Sequence, residues 1–275
     1  MHRRQRNRQM RAYPKPKPVV KKAPEEQPFN MDLLVPKPPK ENKKKVYETE
    51  LMRSGYIPSH PESVNIVGAS GSGKSVVITW MLKKLYKNYF NEIYLFAFTG
   101  KSDSGFKNLN IKDENIYTEN LQENLAKLFS KSKKKIEESG FNKSPRILVI
   151  LEDVSSSPKF IRSKIFTRAF TEARHLNISV WTASHKYKVL SPVARTNSMN
   201  LLLFRMPNTE TEQVIKDWSP PGYTKKQFKQ LVDYAQKPDD VLPRPFLYIK
   251  AKEPFKSRYR RGFHQILMLK DMNNR

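Results

Sequence analysis

Between residues 64 and 250 the apolar positions follow two alternating rhythms. Short continuous apolar runs predict strands buried on both faces, and apolar residues three and four apart predict amphipathic helices. Val64–Val67 predicts a first strand, and Val77, Trp80, Met81 and Leu85 predict a helix from about Lys74 to Tyr86. Glu92–Phe98 predicts a second strand, whereas residues 101–118 show no clear period. Leu121, Leu125, Leu128, Phe129 and Ile136 predict a long helix with Lys131 and Lys133–Lys135 on its polar side. Arg146–Leu151 is the most hydrophobic strand, followed by a helix with Phe160, Ile161, Ile165, Phe166 and Phe170 on its apolar side. Ile178–Ala183 and Asn200–Arg205 predict further strands, helices follow near 209–218 and 224–236, and Pro245–Lys250 predicts a last strand. No internal repeat is evident. Alternating strands and helices with near-continuous apolar strands predict an α/β fold, a mostly parallel sheet with helices on both faces.

The flanks have a different texture. Over residues 1–58 basic clusters alternate with prolines such as Pro14, Pro16, Pro18 and Pro24, which favours an extended arm over a packed core. Met31–Val35 is its one apolar patch, suited to docking on this domain, another subunit or a partner. Residues 59–251 are left as the folded domain, and 252–275 as a basic tail. Within that tail, the basic stretch Lys252–His264 interleaves cations with aromatics. Two readings stay open for it: gripping phosphates and stacking on bases or a partner, or folding against the domain.

Charge narrows the partners. The 275 residues include 52 Lys and Arg against 26 Asp and Glu, a net charge of +26. Such an excess points to a polyanion, nucleic acid ahead of an acidic membrane, and away from an ordinary metabolic enzyme. The chain has no cysteine, which excludes disulfides, thiolate metal sites and a cysteine nucleophile, and fits a reducing compartment. No apolar run approaches the ~20 residues of a membrane span. The basic start is not followed by an apolar stretch, so it is not read as a secretory signal.

Three clusters carry chemistry. Gly68-Ala69-Ser70-Gly71-Ser72-Gly73-Lys74-Ser75 lies between a predicted strand and a predicted helix. Its glycines let backbone N–H groups turn inward toward phosphate oxygens, Lys74 would reach the β- and γ-phosphates, and Ser75 would hold Mg²⁺. Glu152 and Asp153 end the strongest strand, where open α/β sheets bind ligands. By position Glu152 takes the metal role and Asp153 the water-activating role, with an exchange of the two left open. Ser184 and His185 end the Ile178 strand, where a polar group can sense the γ-phosphate; taken alone, His185 reads first as a satisfied structural histidine. Arg174, just before that strand, can stabilise transition-state charge across a subunit boundary, with Arg195 and Asn197 as secondary candidates; taken alone, each arginine reads first as a surface or DNA-facing residue.

The succession of Gly68–Ser75, Ile147–Asp153, Arg174-His175 with its strand to His185, and Pro192–Asn197 resembles the FtsK/HerA superfamily. Within it, the order is most similar to genome-packaging ATPases of double-jelly-roll DNA viruses of poxvirus-like, virophage and Polinton type. The resemblance covers about residues 60–210. It implies a RecA-like core of the additional-strand (ASCE) class, a ring of copies, and ATP-driven translocation of double-stranded DNA into a capsid. It also implies an arginine finger at Arg174, capsid or portal-like partners, and work at the assembly site of an infected cell and in the virion. The chain departs from the pattern twice: the acid pair is Glu-Asp rather than Asp-Glu, and His185 stands where the superfamily often has Gln. A helicase or conjugative DNA pump of the same superfamily, and a nucleotide-gated DNA-binding core protein, are the alternatives. A small-molecule kinase fits the charge poorly.

Overall fold

The computed structural model describes residues 49–98, 106, 109–240 and 242–268. The chain divides into two units, Met1–Lys44 and Lys45–Arg275. The first unit, with most of the expected arm and its Met31–Val35 patch, lies outside the described residues, as does the end of the tail.

In chain order the elements begin with α1 (Glu50–Arg53), β1 (Ser63–Val67), α2 (Lys74–Trp80), β2 (Glu92–Ala97), β3 (Ile116–Tyr117), α3 (Leu121–Ser139) and β4 (Ile147–Glu152). They continue with α4 (Pro158–Ile161), α5 (Lys164–Thr171), β5 (Ile178–Ser184), α6 (Pro192–Thr196), β6 (Asn200–Leu203) and α7 (Asn208–Trp218). The last are α8 (Lys225–Ala235), β7 (Leu247–Lys250), α9 (Phe255–Arg258), β8 (Tyr259–Arg261) and β9 (Gln265–Ile266). Among the described residues one nine-stranded sheet forms, in the order β3-β2-β4-β5-β1-β6-β7-β8-β9. β3 through β6 in this order pair in parallel, and β7, β8 and β9 extend the sheet antiparallel. β5 stands between the loop strand β1 and the acid strand β4, the additional strand of the expected class.

Every residue of β1, β4 and β5 is buried, which is why apolar residues dominate these strands. The two-residue period of a strand divides their side chains between two cores. Val180 joins Leu128, Phe166 and Phe228 on the face covered by α3, α5 and α8. Trp181 joins Ile66, Ile78 and Met81 on the face covered by α2. The parallel strands therefore all end along one edge, carrying Val67, Glu152 and Ser184 there together.

Several elements differ from expectation. The helix after the loop leaves α geometry at Trp80 and continues as a π turn over Met81–Leu85. The expected helix around Phe160–Phe170 is two, because the Ser163 hydroxyl accepts from the Phe166 N–H (3.3 Å) and starts α5 afresh. β3 arises in the stretch without periodicity, and β8 and β9 in the expected tail.

The expected boundaries at 59 and 252 also shift. Met52 and Ile57 are 1% exposed, so the core takes in residues before 59. Beyond 252, Arg261 bonds the Lys237 carbonyl (2.7 Å) and Asp239 (2.7 Å), and Arg260 lies 4.9 Å over the Tyr56 ring. For this part of the basic stretch, folding against the domain is what the structure shows.

Candidate nucleotide site

The Gly68–Ser75 loop leaves β1 fastened on both sides. Gly68 N–H donates to the Ser184 carbonyl of β5 (3.2 Å), and Ala69 N–H to the Arg205 carbonyl after β6 (3.0 Å). A Cβ at Gly68 would sit 2.5 Å from Phe204 Cβ, so a side chain there would push the loop off the sheet. Gly73 has φ 107°, a left-handed conformation that L side chains rarely adopt, and leads directly into α2.

Lys74 opens α2 and folds back over the loop. Its Nζ donates to the carbonyls of Gly68 (2.8 Å) and Ala69 (3.0 Å) and to His185 Nδ1 (3.0 Å). Burial pulls its pKa below the usual lysine value, and the charges of Asp153 and Glu152 oppose that shift. Because Lys74 can only donate, His185 Nδ1 accepts, which assigns the ring proton to Nε2. That nitrogen lies 3.5 Å from Asp153 Oδ1. A polar chain thus runs from the loop lysine through the imidazole to the second acid.

Glu152, the last residue of β4, is buried, and its Oε1 accepts from the Ser75 hydroxyl (3.3 Å). Asp153 turns the chain out of the strand at φ 47°, and its Oδ1 also accepts from the Ser155 hydroxyl (2.7 Å). The two acids therefore have different partners, Glu152 the loop serine and Asp153 the histidine. Lys74, Ser75, Glu152, Asp153 and His185 line one open cleft of about 490 Å³ at the strand ends, together with Ser70, Gly71 and Gly73. The Ser75 and Glu152 oxygens are hard donors of the kind Mg²⁺ takes, and Mg²⁺ needs few protein ligands because it keeps several waters. Among the described residues no group of three or more His, Cys, Asp or Glu could hold a metal by itself. The residues present fit a cation shared with phosphate oxygens.

Arg174 is not brought to this cleft. It lies in the turn Ala173–Leu176 before β5, at the opposite end of that strand from His185, and its Nε donates to His175 Nε2 (3.2 Å). Arg195 is committed elsewhere. Its Nε bonds Asp217 (2.8 Å), another guanidinium nitrogen bonds the Leu190 carbonyl (3.0 Å), and the group lies 5.5 Å over Tyr187. Asn197 closes α6 by bonding the Val193 carbonyl (2.9 Å). Arg195→Ala is expected to cost about 1–2 kcal/mol of stability, because Asp217 loses its cation but keeps its bonds from the Tyr187 hydroxyl (3.1 Å) and the Gln213 amide (2.7 Å). Urea denaturation checks this; unchanged stability with lost turnover would instead make Arg195 a catalytic group.

One charged residue of the cleft lining went unmarked by sequence reasoning. Arg244, between Pro243 and Pro245 ahead of β7, joins its lining. A lone arginine in a proline-flanked loop carries no motif, and only the antiparallel return of β7 beside β6 brings it to the loop.

The sheet order and the glycine loop define a P-loop ATPase fold of the RecA-like class. The chain belongs to the family of the Poxvirus A32 protein, whose model matches residues 52–239. Its fold is similar to the genome packaging NTPase B204 from Sulfolobus turreted icosahedral virus 2. With sulfate bound, that structure gives a TM-score of 0.52 at 14% identity over 70% of this chain and 94% of that one. With ATP-gammaS bound, the TM-score is 0.50 at 15% identity over 70% and 93%. A segment of EssC (ATPases 2 and 3) from Geobacillus thermodenitrificans is similar at TM-score 0.51 and 15% identity, over 76% of this chain and 40% of that one. At these identities the likeness is one of fold. No curated relative matches the chain in sequence. No helix among the described residues is long and apolar enough to cross a membrane.

Proposed function

We propose that this chain is a Mg²⁺-dependent ATPase that drives double-stranded DNA into a viral capsid. The observation that carries the reading is the convergence of Lys74, Ser75, Glu152, Asp153 and His185 on one cleft at the ends of β1, β4 and β5. Membership of the A32 family, a fold shared with a packaging NTPase, and the net charge of +26 support the DNA and capsid parts.

Each residue has a role that its position supports. Lys74 exchanges its loop carbonyls for the β- and γ-phosphate oxygens of ATP, and the loop N–H groups cradle those phosphates. Ser75 and Glu152 would hold Mg²⁺, which would supply positive charge beside the phosphates. Asp153 orients and polarises the attacking water. His185, between Lys74 and Asp153, ties the state of the phosphate grip to the acid. Arg174 faces away from its own cleft, so its service as a finger requires the cleft of a neighbouring copy, as in a ring. Basic loops facing the ring channel would hold DNA, with capsid or portal-like proteins as the docking partners at the assembly site.

Turnover measured with and without duplex DNA tests the motor. Duplex DNA is expected to raise ATP turnover, and the gain is expected to fade as salt rises because binding releases counterions. Turnover indifferent to DNA at low salt would overturn the translocase and leave a nucleotide-gated core protein.

A further inference from the structure

The cleft has a cationic side that the roles above leave unused. The two acids and His185 approach the loop from the ends of β4 and β5, where they meet Ser75 and Lys74. Arg244 approaches from the other side, where β6 and β7 lie. A Cβ built at Gly73 would lie 3.0 Å from Arg244 Cδ and 3.7 Å from Phe204 Cε1, which puts the arginine stem across the start of α2. Its segment is held in place. Phe246 packs on Phe204 with ring centroids 5.1 Å apart, its carbonyl accepts from Gly262 N–H (2.9 Å), and Pro243 and Pro245 restrict the backbone around the arginine. Arg244 makes no ion pair with a described acid, in contrast to Arg195 and Arg261. It is an exposed guanidinium on a stiff mount, at the mouth of a site built for a polyanion.

Resting on the nucleotide site proposed above, we infer that Arg244 grips the nucleoside end of the bound nucleotide, through the α-phosphate, in the same chain. The bond to be broken must lie beside Asp153 and Glu152, because those acids serve the water and the cation. With the reacting end fixed on the β4–β5 side, a cation entering from the β6–β7 side meets the opposite end of the triphosphate. Arg244 therefore adds binding that ATP and ADP share, and it does not act on the transferred phosphoryl group. Interactions equal in ground and transition states lower KM without raising kcat. This separates Arg244 from Lys74, whose reach to the γ-phosphate bears on kcat.

The test is nucleotide titration of the full chain with ATP and with ADP, alongside steady-state turnover, for the wild type, Arg244→Ala and Arg244→Lys. A charge-assisted hydrogen bond to phosphate predicts a loss of affinity of about tenfold or more in Arg244→Ala. The loss should be equal for ATP and ADP, with KM raised to match and kcat within about threefold of wild type. Arg244→Lys should recover part of the affinity, since it restores charge without the planar fork. Unchanged affinity in Arg244→Ala, a loss confined to ATP, or a fall in kcat at constant KM would each overturn the inference. Failure of the wild type to bind either nucleotide would overturn the nucleotide site itself, a separate result from any of these.

Discussion

Lys74→Ala is expected to lower ATP turnover by at least about a hundredfold, the scale for removing a preorganised electrostatic contact to the transition state. Salt-sensitive DNA binding should survive, because one buried lysine contributes little to a net charge of +26. The structure gives the loss three origins. The ammonium that would grip the phosphates disappears; Glu152 and Asp153 lose the cation whose pKa they raise; and His185 Nδ1 loses its donor. The loop carbonyls of Gly68 and Ala69 lose a donor too, so a stability cost of about 1–3 kcal/mol should accompany the change. A melting curve beside the rate measurement separates unfolding from lost chemistry. Turnover equal to wild type in a folded variant would remove the cleft as the site of hydrolysis.

The second large effect divides the two acids. Asp153→Asn is expected to cut turnover by about 10²–10⁴-fold, the range for general acid–base catalysis, while ATP still binds. Glu152→Gln is expected to raise the Mg²⁺ concentration needed for turnover, because the Ser75 hydroxyl would face a neutral partner in place of a carboxylate. Turnover and nucleotide binding, each measured across a Mg²⁺ series, distinguish the two variants. If Glu152→Gln loses turnover at every Mg²⁺ level and Asp153→Asn merely needs more Mg²⁺, the roles are exchanged. The inverted order of the pair in the sequence left both assignments open. The hydrogen bond from Ser75 to Glu152 and the approach of His185 to Asp153 now favour one of them.

Much of the sheet was legible in the sequence because its strands are buried on both faces. Val64–Val67, Arg146–Leu151 and Ile178–Ala183 contain so few polar positions that little but a central parallel strand suits them. The phosphate loop was legible because its glycines answer to backbone geometry, visible here as the positive φ of Gly71 and Gly73. Elements held by longer-range pairing were not. β3 is two residues long and exists through its pairing with Leu95 and Phe96. β8 reads as a basic tail because Arg260 and Arg261 are buried by an aromatic ring, a carbonyl and an acid distant in sequence. The arginines show the same limit. Arg195 and Arg244 look alike as letters, yet one is bound to Asp217 and the other stands over the loop, and only the fold tells them apart.

The position of β5 has a mechanical consequence. Its seven residues reach from the turn that carries Arg174 to the edge that carries His185, a span of about 20 Å at ~3.3 Å per residue. With β1 and β4 bonded along its two sides, it can neither stretch nor slip alone. In a closed ring of such chains, one end of this strut would touch the chain's own fuel while the other leaned on its neighbour's. In that proposed assembly, a displacement at one end would reach the other through a strand braced by two neighbours.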